Sequence, residues 1–269
     1  MDGFTLTNQN YYSEEANKLY LSNSLFKALY GHPAHPIACE EAGLFTKPES
    51  EALFIGSYID AYFEGPDEFE DFCKEHQDQI MQKSGKAKYK FVSDADETIK
   101  KITQDPVFMK FMGGDHQTIM TGEIANQPFK IKMDAYHKDE MIVDLKYVKS
   151  SEPVYNPFLK KYVTFIEDYG YYVQGAIYQE IVYQNTGKKL PFYIAYATKE
   201  TVPDFGVVKL DQDKLDEALE YVKTKLLVRP YSVIKAHPER CGRRDCKYCK
   251  EKRKLSGPMT YAEFEAYIS

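Results

Sequence analysis

Apolar and polar positions change their spacing twice along this chain. Up to about residue 112 the pattern is helical: YSEEANKLYLSNSLFKALY (12–30) with Ser22 or Asn23 as a candidate cap before SLFKAL, ACEEAGLF as a short helix, and SEALFIGSYIDAYFEG (50–65) stopped by Gly65 and Pro66. Two acidic helical segments follow, about 67–81 and 94–112, with the basic stretch KSGKAKYK between them. From 116 the pattern becomes β, predicting strands near 116–125, 128–137 and 140–148. Their connections, Asn126-Gln127 and His137-Lys138-Asp139, are short enough for antiparallel neighbours. SSEPVYNPFLKKYVTF reads as a loop, 167–187 as a helix ended by Gly187, and LPFYIAYATKE and FGVVKL as two further strands. DQDKLDEALEYVKTKLLVR is a long helix and TYAEFEAYI a last one. The chain shows no internal repeat. This order predicts an α/β or α+β fold, a mixed central β-sheet flanked by helices, with an N-terminal helical layer.

The 269 residues, 43% hydrophobic and 28% charged, suffice for a full core and suggest one domain. Its parts would be a mainly helical 1–112, a sheet-and-helix 113–235, and a cysteine-containing basic 236–269. No apolar run approaches the roughly 18 residues that cross a bilayer, and MDGFTLTNQNYY is not built like a signal peptide. The expectation is a cytoplasmic protein without a membrane partner. A net charge of −6 argues against coating nucleic acid through the overall field. Locally the balance reverses: CGRRDCKYCKEKRKL (241–255) carries seven Lys or Arg against two acids. The 23 tyrosines are read first as core and surface residues.

Charge on the predicted strands changes the picture further. Asp144 and Lys146 in IVDLKYV share one face, while Val143 and Leu145 take the other. On the preceding strand Asp134 ends the polar set Lys130, Lys132, Asp134, and a hairpin at 137–139 would bring it near Asp144. Glu123 could join from the strand before. Charged residues on strands are commonly solvated faces, and Asp-x-Lys arises often by chance. Clustered carboxylates, however, repel one another unless a cation sits among them. A divalent metal meets that need, since Mg²⁺ takes a few carboxylates plus water and phosphate oxygens. Lys146 could then orient or activate the attacking water, or offset charge on the transition state.

Two more elements complete a pattern. GSYIDAYFEG (56–65) lies on an upstream helix, and Gln174 and Tyr178 form Q-x-x-x-Y on the helix after the sheet, where positions four apart share a face. G-S-x-x-D, then Glu123, then Asp134, then D-x-K, then Q-x-x-x-Y, in this order, resemble the RecB-like branch of the PD-(D/E)xK nuclease superfamily, and within it RecE-type and phage-encoded exodeoxyribonucleases. The resemblance runs from about residue 10 to about 250. It implies a restriction-endonuclease-like core in which Asp134 and Asp144 bind one or two Mg²⁺ or Mn²⁺ ions, with the Leu145 carbonyl as a further ligand. Lys146 would be the catalytic lysine, Glu123 an acid near the metals, and Gln174 and Tyr178 would contact DNA or brace the site. Asp60 stands where the family commonly has His and would ligate through oxygen; a buried or capping role is its plain alternative.

The cysteines follow from the same likeness. Cys241-x4-Cys246-x2-Cys249 lies in the basic segment and Cys39 far upstream. Some RecB-like nucleases resemble this arrangement, one cysteine before the core and three after it clamping a [4Fe-4S] cluster, although their usual spacing is C-x-x-C-x5-C. A structural Zn²⁺ or free thiols are the alternatives. Cys73 reads as an ordinary helical cysteine, and His32, His35 and His116 have no ligand spacing. Arg243, Arg244, Lys247, Lys250, Lys252, Arg253 and Lys254 would hold a DNA backbone or form a solvated tail. The function expected is metal-dependent DNA hydrolysis, an exonuclease resecting double-stranded ends in the 5′ to 3′ direction as the likeness implies. A single-strand annealing protein would be its partner, and a homo-oligomer a further expectation. An endonuclease of CRISPR-adaptation or repair type, a non-catalytic DNA-binding protein of the same fold, and an α/β protein with a zinc clip are the rivals.

Overall fold

The computed structural model describes residues 4–30, 50–156, 159–229, 250 and 253–268. The chain divides into two compact units, one of residues 1–23 and 48–231, the other of 24–47 and 232–269. The ACEEAGLF helix and the cysteine segment 241–249 lie outside the described residues.

The first unit is built on a five-stranded mixed sheet of order β1-β2-β3-β6-β7. Its strands are β1 (Asp115–Ile124), β2 (Gln127–His137), β3 (Met141–Val148), β6 (Phe192–Thr198) and β7 (Phe205–Lys209). β1, β2 and β3 are antiparallel neighbours, β3 pairs β6 in parallel, and β7 returns antiparallel. The parallel step requires a crossover. It is made by α9 (Tyr171–Thr186), which packs on β1, β2 and β6 with α10 (Gln212–Val228) outside it.

The opposite face carries α3 (Glu51–Glu64), α6 (Lys90–Ile102) and α7 (Pro106–Phe111). Ile55, Ile59, Val92, Ile99 and Phe108 meet Ala135, Val143, Leu145, Ala195 and Ala197 there in one core. Alternation decides the rest: Phe192 turns to α9, where Tyr178 meets it edge-on at 5.9 Å. With helices on both faces, β3 is buried almost throughout, hence its apolar composition around the two charges. Tyr58, Asp96 and Lys88 tie α3 to α6, Tyr58 donating to Asp96 at 2.7 Å and Lys88 to Tyr58 at 2.9 Å.

Four predicted elements differ from the structure. The helix expected over 12–30 is α1 (Glu14–Leu19) and α2 (Asn23–Tyr30), separated by an extended segment. There Leu21 bridges to Phe129, its N–H donating to Pro128 O at 2.9 Å and its carbonyl accepting from Lys130 N at 2.8 Å. β2 has open backbone groups at that point because β3 pairs only with residues 135–137, so satisfying them outweighs continuing the helix. The segment 67–81 is likewise α4 (Pro66–Glu75) and α5 (Gln77–Ile80), and 94–112 is α6 and α7, broken before Pro106. The predicted loop after β3 holds a two-stranded hairpin, β4 (Val154–Asn156) with β5 (Lys161–Val163), and the short α8 (Phe165–Asp168) capped by Thr164 and Glu167.

In the second unit the described elements are the body of α2, with Phe26 stacked on Tyr30 at 4.7 Å, and α11 (Tyr261–Ile268). Thr260 and Glu263 cap the latter reciprocally.

Candidate active site

The candidate site lies where β2 and β3 part. Their ladder runs from His137↔Met141 to Ala135↔Val143. The next rung would place Asp134 opposite Asp144. Instead the Asp134 side chain takes the place of a strand partner, Leu145 N–H donating to its Oδ2 at 2.7 Å. The β1–β2 ladder skips the same rung: His116↔Ala135 and Thr118↔Met133 pair, while Gln117, opposite Asp134, has φ 51°. A left-handed non-glycine residue there is strained backbone, which a packed sheet can hold in place. His116 Nδ1 lies 2.8 Å from the Asp134 carbonyl. Interrupted on both sides, Asp134 is free to turn its carboxylate toward β3.

Asp144 is only 2% exposed, and Gln174 Nε2, from α9, donates to its Oδ1 at 2.6 Å. The other oxygen, Oδ2, is buried and in close ion-pair contact with the Lys146 ammonium. Lys146 Nζ donates to the Leu145 carbonyl at 3.1 Å and lies 5.3 Å from the centre of the Tyr171 ring.

From the helical face Asp60, on α3, joins this group. Burial, reinforced by Asp144 and Glu64 against Lys146 and Lys132, lifts its carboxyl from 3.8 to about 7. Asp134 is likewise raised well above the usual carboxylate range, by burial first and then by Asp144 and Asp60. Burial would lower the Lys146 ammonium, but Asp144, Asp134 and Tyr171 outweigh it and the net shift is upward. Lys146 is therefore a fixed cation as the site stands, suited to orienting and charge compensation rather than to removing a proton. Three acids around one lysine leave an excess of negative charge.

Gln174 and Tyr178 share a face of α9, as their spacing predicts. Gln174 orients Asp144, and Tyr178 OH donates to the Lys132 carbonyl at 3.1 Å; both are buried. That placement ties α9 to β3 and β2. Glu123 is not brought in. It is exposed and pairs with Pro128 beside the β1–β2 turn, six residues along β2 from Asp134, about 20 Å at roughly 3.3 Å per residue. Gln184 on α9 holds its backbone at 2.9 and 2.7 Å. The tight turn at Ala125-Asn126 sets this register, which corrects the expectation that Glu123 stands near the metal ligands. Cys39, Cys241, Cys246 and Cys249 lie outside the described residues; Cys73 is a half-buried free thiol whose pKa burial raises.

The sequence reading passed over several neighbours. Glu64, one turn beyond Asp60, is raised by burial with Lys132 opposing. Tyr12 is subject to the charges of Asp134, Asp60 and Glu64, and Lys132 Nζ lies 4.8 Å from its ring centre. The i, i+4 spacing of Asp60 and Glu64 was a signal available in the sequence; nothing there pointed to Gln117, whose buried Oε1 lacks a hydrogen-bond partner. Lys130 is buried rather than solvated: it is held by the Tyr11 carbonyl and by Asn17 Oδ1 at 2.8 Å, anchoring the N-terminal segment.

The donor set suits a hard divalent cation. Among the described residues no three His, Cys, Asp or Glu side chains form a ready cage. Mg²⁺ does not need one, since it retains waters and takes one or two carboxylates. Asp134, the buried Asp144 carboxylate and the Leu145 carbonyl meet that requirement.

A five-stranded mixed sheet between helical layers, with an Asp on one central strand meeting Asp-x-Lys on the next, defines a nuclease fold of the PD-(D/E)xK class. More narrowly, the chain belongs to the family described as "PDDEXK-like domain of unknown function (DUF3799)", which it matches over residues 22–252. A crystal structure of a chain from Eubacterium rectale, described as a "putative exonuclease", is 38% identical to it. That similarity covers 98% of this chain and 99% of the other, with a TM-score of 0.86. No curated protein matches the chain.

Proposed function

We propose that this protein is a Mg²⁺- or Mn²⁺-dependent deoxyribonuclease that degrades duplex DNA from its ends, an exonuclease of the kind phage-type recombination uses. The observation that carries this reading is the convergence of Asp134, Asp144 and Lys146 at the parted β2 and β3 strands, with Asp144 Oδ2 buried against the Lys146 ammonium. The similarity to a chain described as an exonuclease supports the exonucleolytic mode. The 5′ to 3′ direction and an annealing partner rest on the RecE-type likeness.

Asp134, Asp144 and the Leu145 carbonyl would hold the cation, with Asp60 within reach of the same charge. When bound, the ion supplies Lewis acidity, neutralising phosphate charge and making a water a better nucleophile at neutral pH. Gln174 fixes the rotamer of Asp144, and such outer partners matter to metal affinity nearly as much as the ligands do. Lys146 keeps its proton and presents Nζ as a cation that orients the attacking water and offsets charge on the phosphate in the transition state. The buried aromatic wall of Tyr171 and Tyr178 limits water on the α9 side, which strengthens these electrostatic contacts.

The test is end-labelled linear duplex DNA with Mg²⁺ or Mn²⁺, intact protein beside Lys146→Ala, and a covalently closed circle as control. Metal-dependent release of label is expected from the linear substrate alone, falling at least about a hundredfold in Lys146→Ala, as when a preorganised charge is removed from a site of this kind. Cutting of the circle would favour the endonuclease reading, and no cutting by the intact protein under either metal would remove the enzyme reading. We further propose that Cys39, Cys241, Cys246 and Cys249 hold an iron-sulfur cluster, supported by their arrangement in the sequence.

A further inference from the structure

We propose that the β4–β5 hairpin and the turn after α8 form an aromatic platform for unpaired DNA leading into the active site. Resting on the nuclease reading, this specifies its substrate as a strand single-stranded, or frayed, for a few nucleotides beside the scissile bond.

A chain of rings runs outward from the catalytic lysine. Lys146 Nζ lies 5.3 Å from the centre of the buried Tyr171 ring, and Tyr171 stacks on Tyr169 at 5.8 Å with 25° between planes. Tyr169 is 51% exposed, so two steps of under 6 Å connect the lysine to an aromatic ring in solvent. Just before it, Asp168 accepts a hydrogen bond from Asn156 Nδ2 of β4 at 3.0 Å, and α8 packs on both hairpin strands. That hairpin carries Tyr155, 56% exposed, in edge contact with Tyr162, 73% exposed, at 5.6 Å.

Such exposure has a cost that a stable fold does not require. Val154 and Leu159 are exposed in the same short stretch, so this is a concentrated apolar and aromatic patch, not a stray side chain. Lys160 and Lys161 on the hairpin add positive charge beside it, Lys161 standing 3.7 Å from Glu167. Rings with adjacent cations match single-stranded nucleic acid: each unpaired base offers a π-face and each phosphate a charge. A closed duplex offers phosphates and groove edges but no free π-face along its length, its bases being stacked on each other. Chain order keeps the platform close to the site: β3 ends at Val148, just after Lys146, a short connection leads to β4 at Val154, and α8 leads through Tyr169 and Gly170 into α9 and Gln174. At about 3.4 Å per stacked nucleotide, Tyr169 would meet a base a few nucleotides from the reacting phosphate.

The experiment uses the full chain carrying Lys146→Ala, without added divalent metal, so that binding is read without cleavage. A short single-stranded oligonucleotide containing 2-aminopurine is titrated against this protein and against versions also carrying Tyr169→Ala, Tyr169→Phe or Tyr162→Ala. Loss of a stacking ring should weaken binding at least about fivefold and reduce quenching of the 2-aminopurine; Tyr169→Phe should restore both, and affinity for blunt duplex should change little. Equal single-strand affinity in all four proteins would overturn the platform, leaving the patch for a protein partner. Tyr162→Ala, far out on the hairpin, keeps the test decisive if Tyr169→Ala fails to fold. Hydrolysis of bis(p-nitrophenyl) phosphate by the wild type with Mn²⁺ reads the nuclease proposal separately, since this small diester cannot reach the platform.

Discussion

Asp60 and Asp134 are half-buried acids in a group with too little positive charge. The Asp60 carboxyl moves from 3.8 to about 7 in the fold, so over that interval the folded chain binds more protons than the unfolded one. Its contribution to stability is complete below about pH 4 and is lost as pH rises to about 7. Without divalent metal, the melting temperature should therefore fall across that window, Asp60→Asn should flatten the fall, and Mg²⁺ or Mn²⁺ should reverse it by neutralising the carboxylates. Scanning calorimetry from pH 4 to 7 with and without metal checks this; a Tm indifferent to both would show that these acids are not a cation site. At this scale the sequence was informative where chemistry repeats at fixed spacing, as in Asp144-x-Lys146 and Gln174-x3-Tyr178. It misled at Glu123, whose distance from the site follows from hairpin register alone.

Helix α9 does more than any other element to hold the site. It crosses from β3 to β6, delivers Gln174 to Asp144, and must lie close to the sheet to do so. Gly175 makes that approach possible: a Cβ there would stand 2.8 Å from Leu215 Cδ2 and 3.0 Å from the Phe192 ring. Gly175→Ala should cost about 1–3 kcal/mol as overpacking, more than the helix gains from alanine, and should lower activity by displacing the neighbouring Gln174. Urea unfolding with parallel metal titration of cleavage would measure both; a more stable, fully active Gly175→Ala protein would show that the approach is not needed. The N-terminal segment is the element that sequence reasoning misjudged. Residues 12–30 read as helical with a cap at Ser22 or Asn23, and α2 does start at Asn23; what the pattern did not show is that Leu21 takes up the pairing groups of β2 that β3 leaves open, with Lys130 securing the segment.

For the whole molecule, the mixed sheet, its helical cover and its PDDEXK-like family were foreshadowed by the order of elements and motifs. The proposed cluster belongs to this scale, since its cysteines come from both ends of the chain. Anaerobically purified protein should contain iron and sulfide equivalent to about one four-iron cluster per chain, with visible absorption that bleaches in oxygen, and Cys246→Ser should abolish it. Zinc in place of iron would select the structural-metal alternative, and neither metal would leave free thiols.

The linear order of residues was enough for the alternation of helices and strands, for the face that Asp144 and Lys146 share, and for the pairing of Gln174 with Tyr178, because these depend on periods of 2 and 3.6 that neighbours along the chain impose. Where strands separate is a different matter. The opening between β2 and β3 depends on how Asp134 competes for Leu145 N–H, how Gln117 breaks the other ladder, and how Leu21 fills the vacancy. Those are contacts between segments far apart in the chain, and no local propensity encodes them. Folding thus placed Asp60 beside the strand acids, Glu123 far from them, and Tyr169 two rings from the lysine.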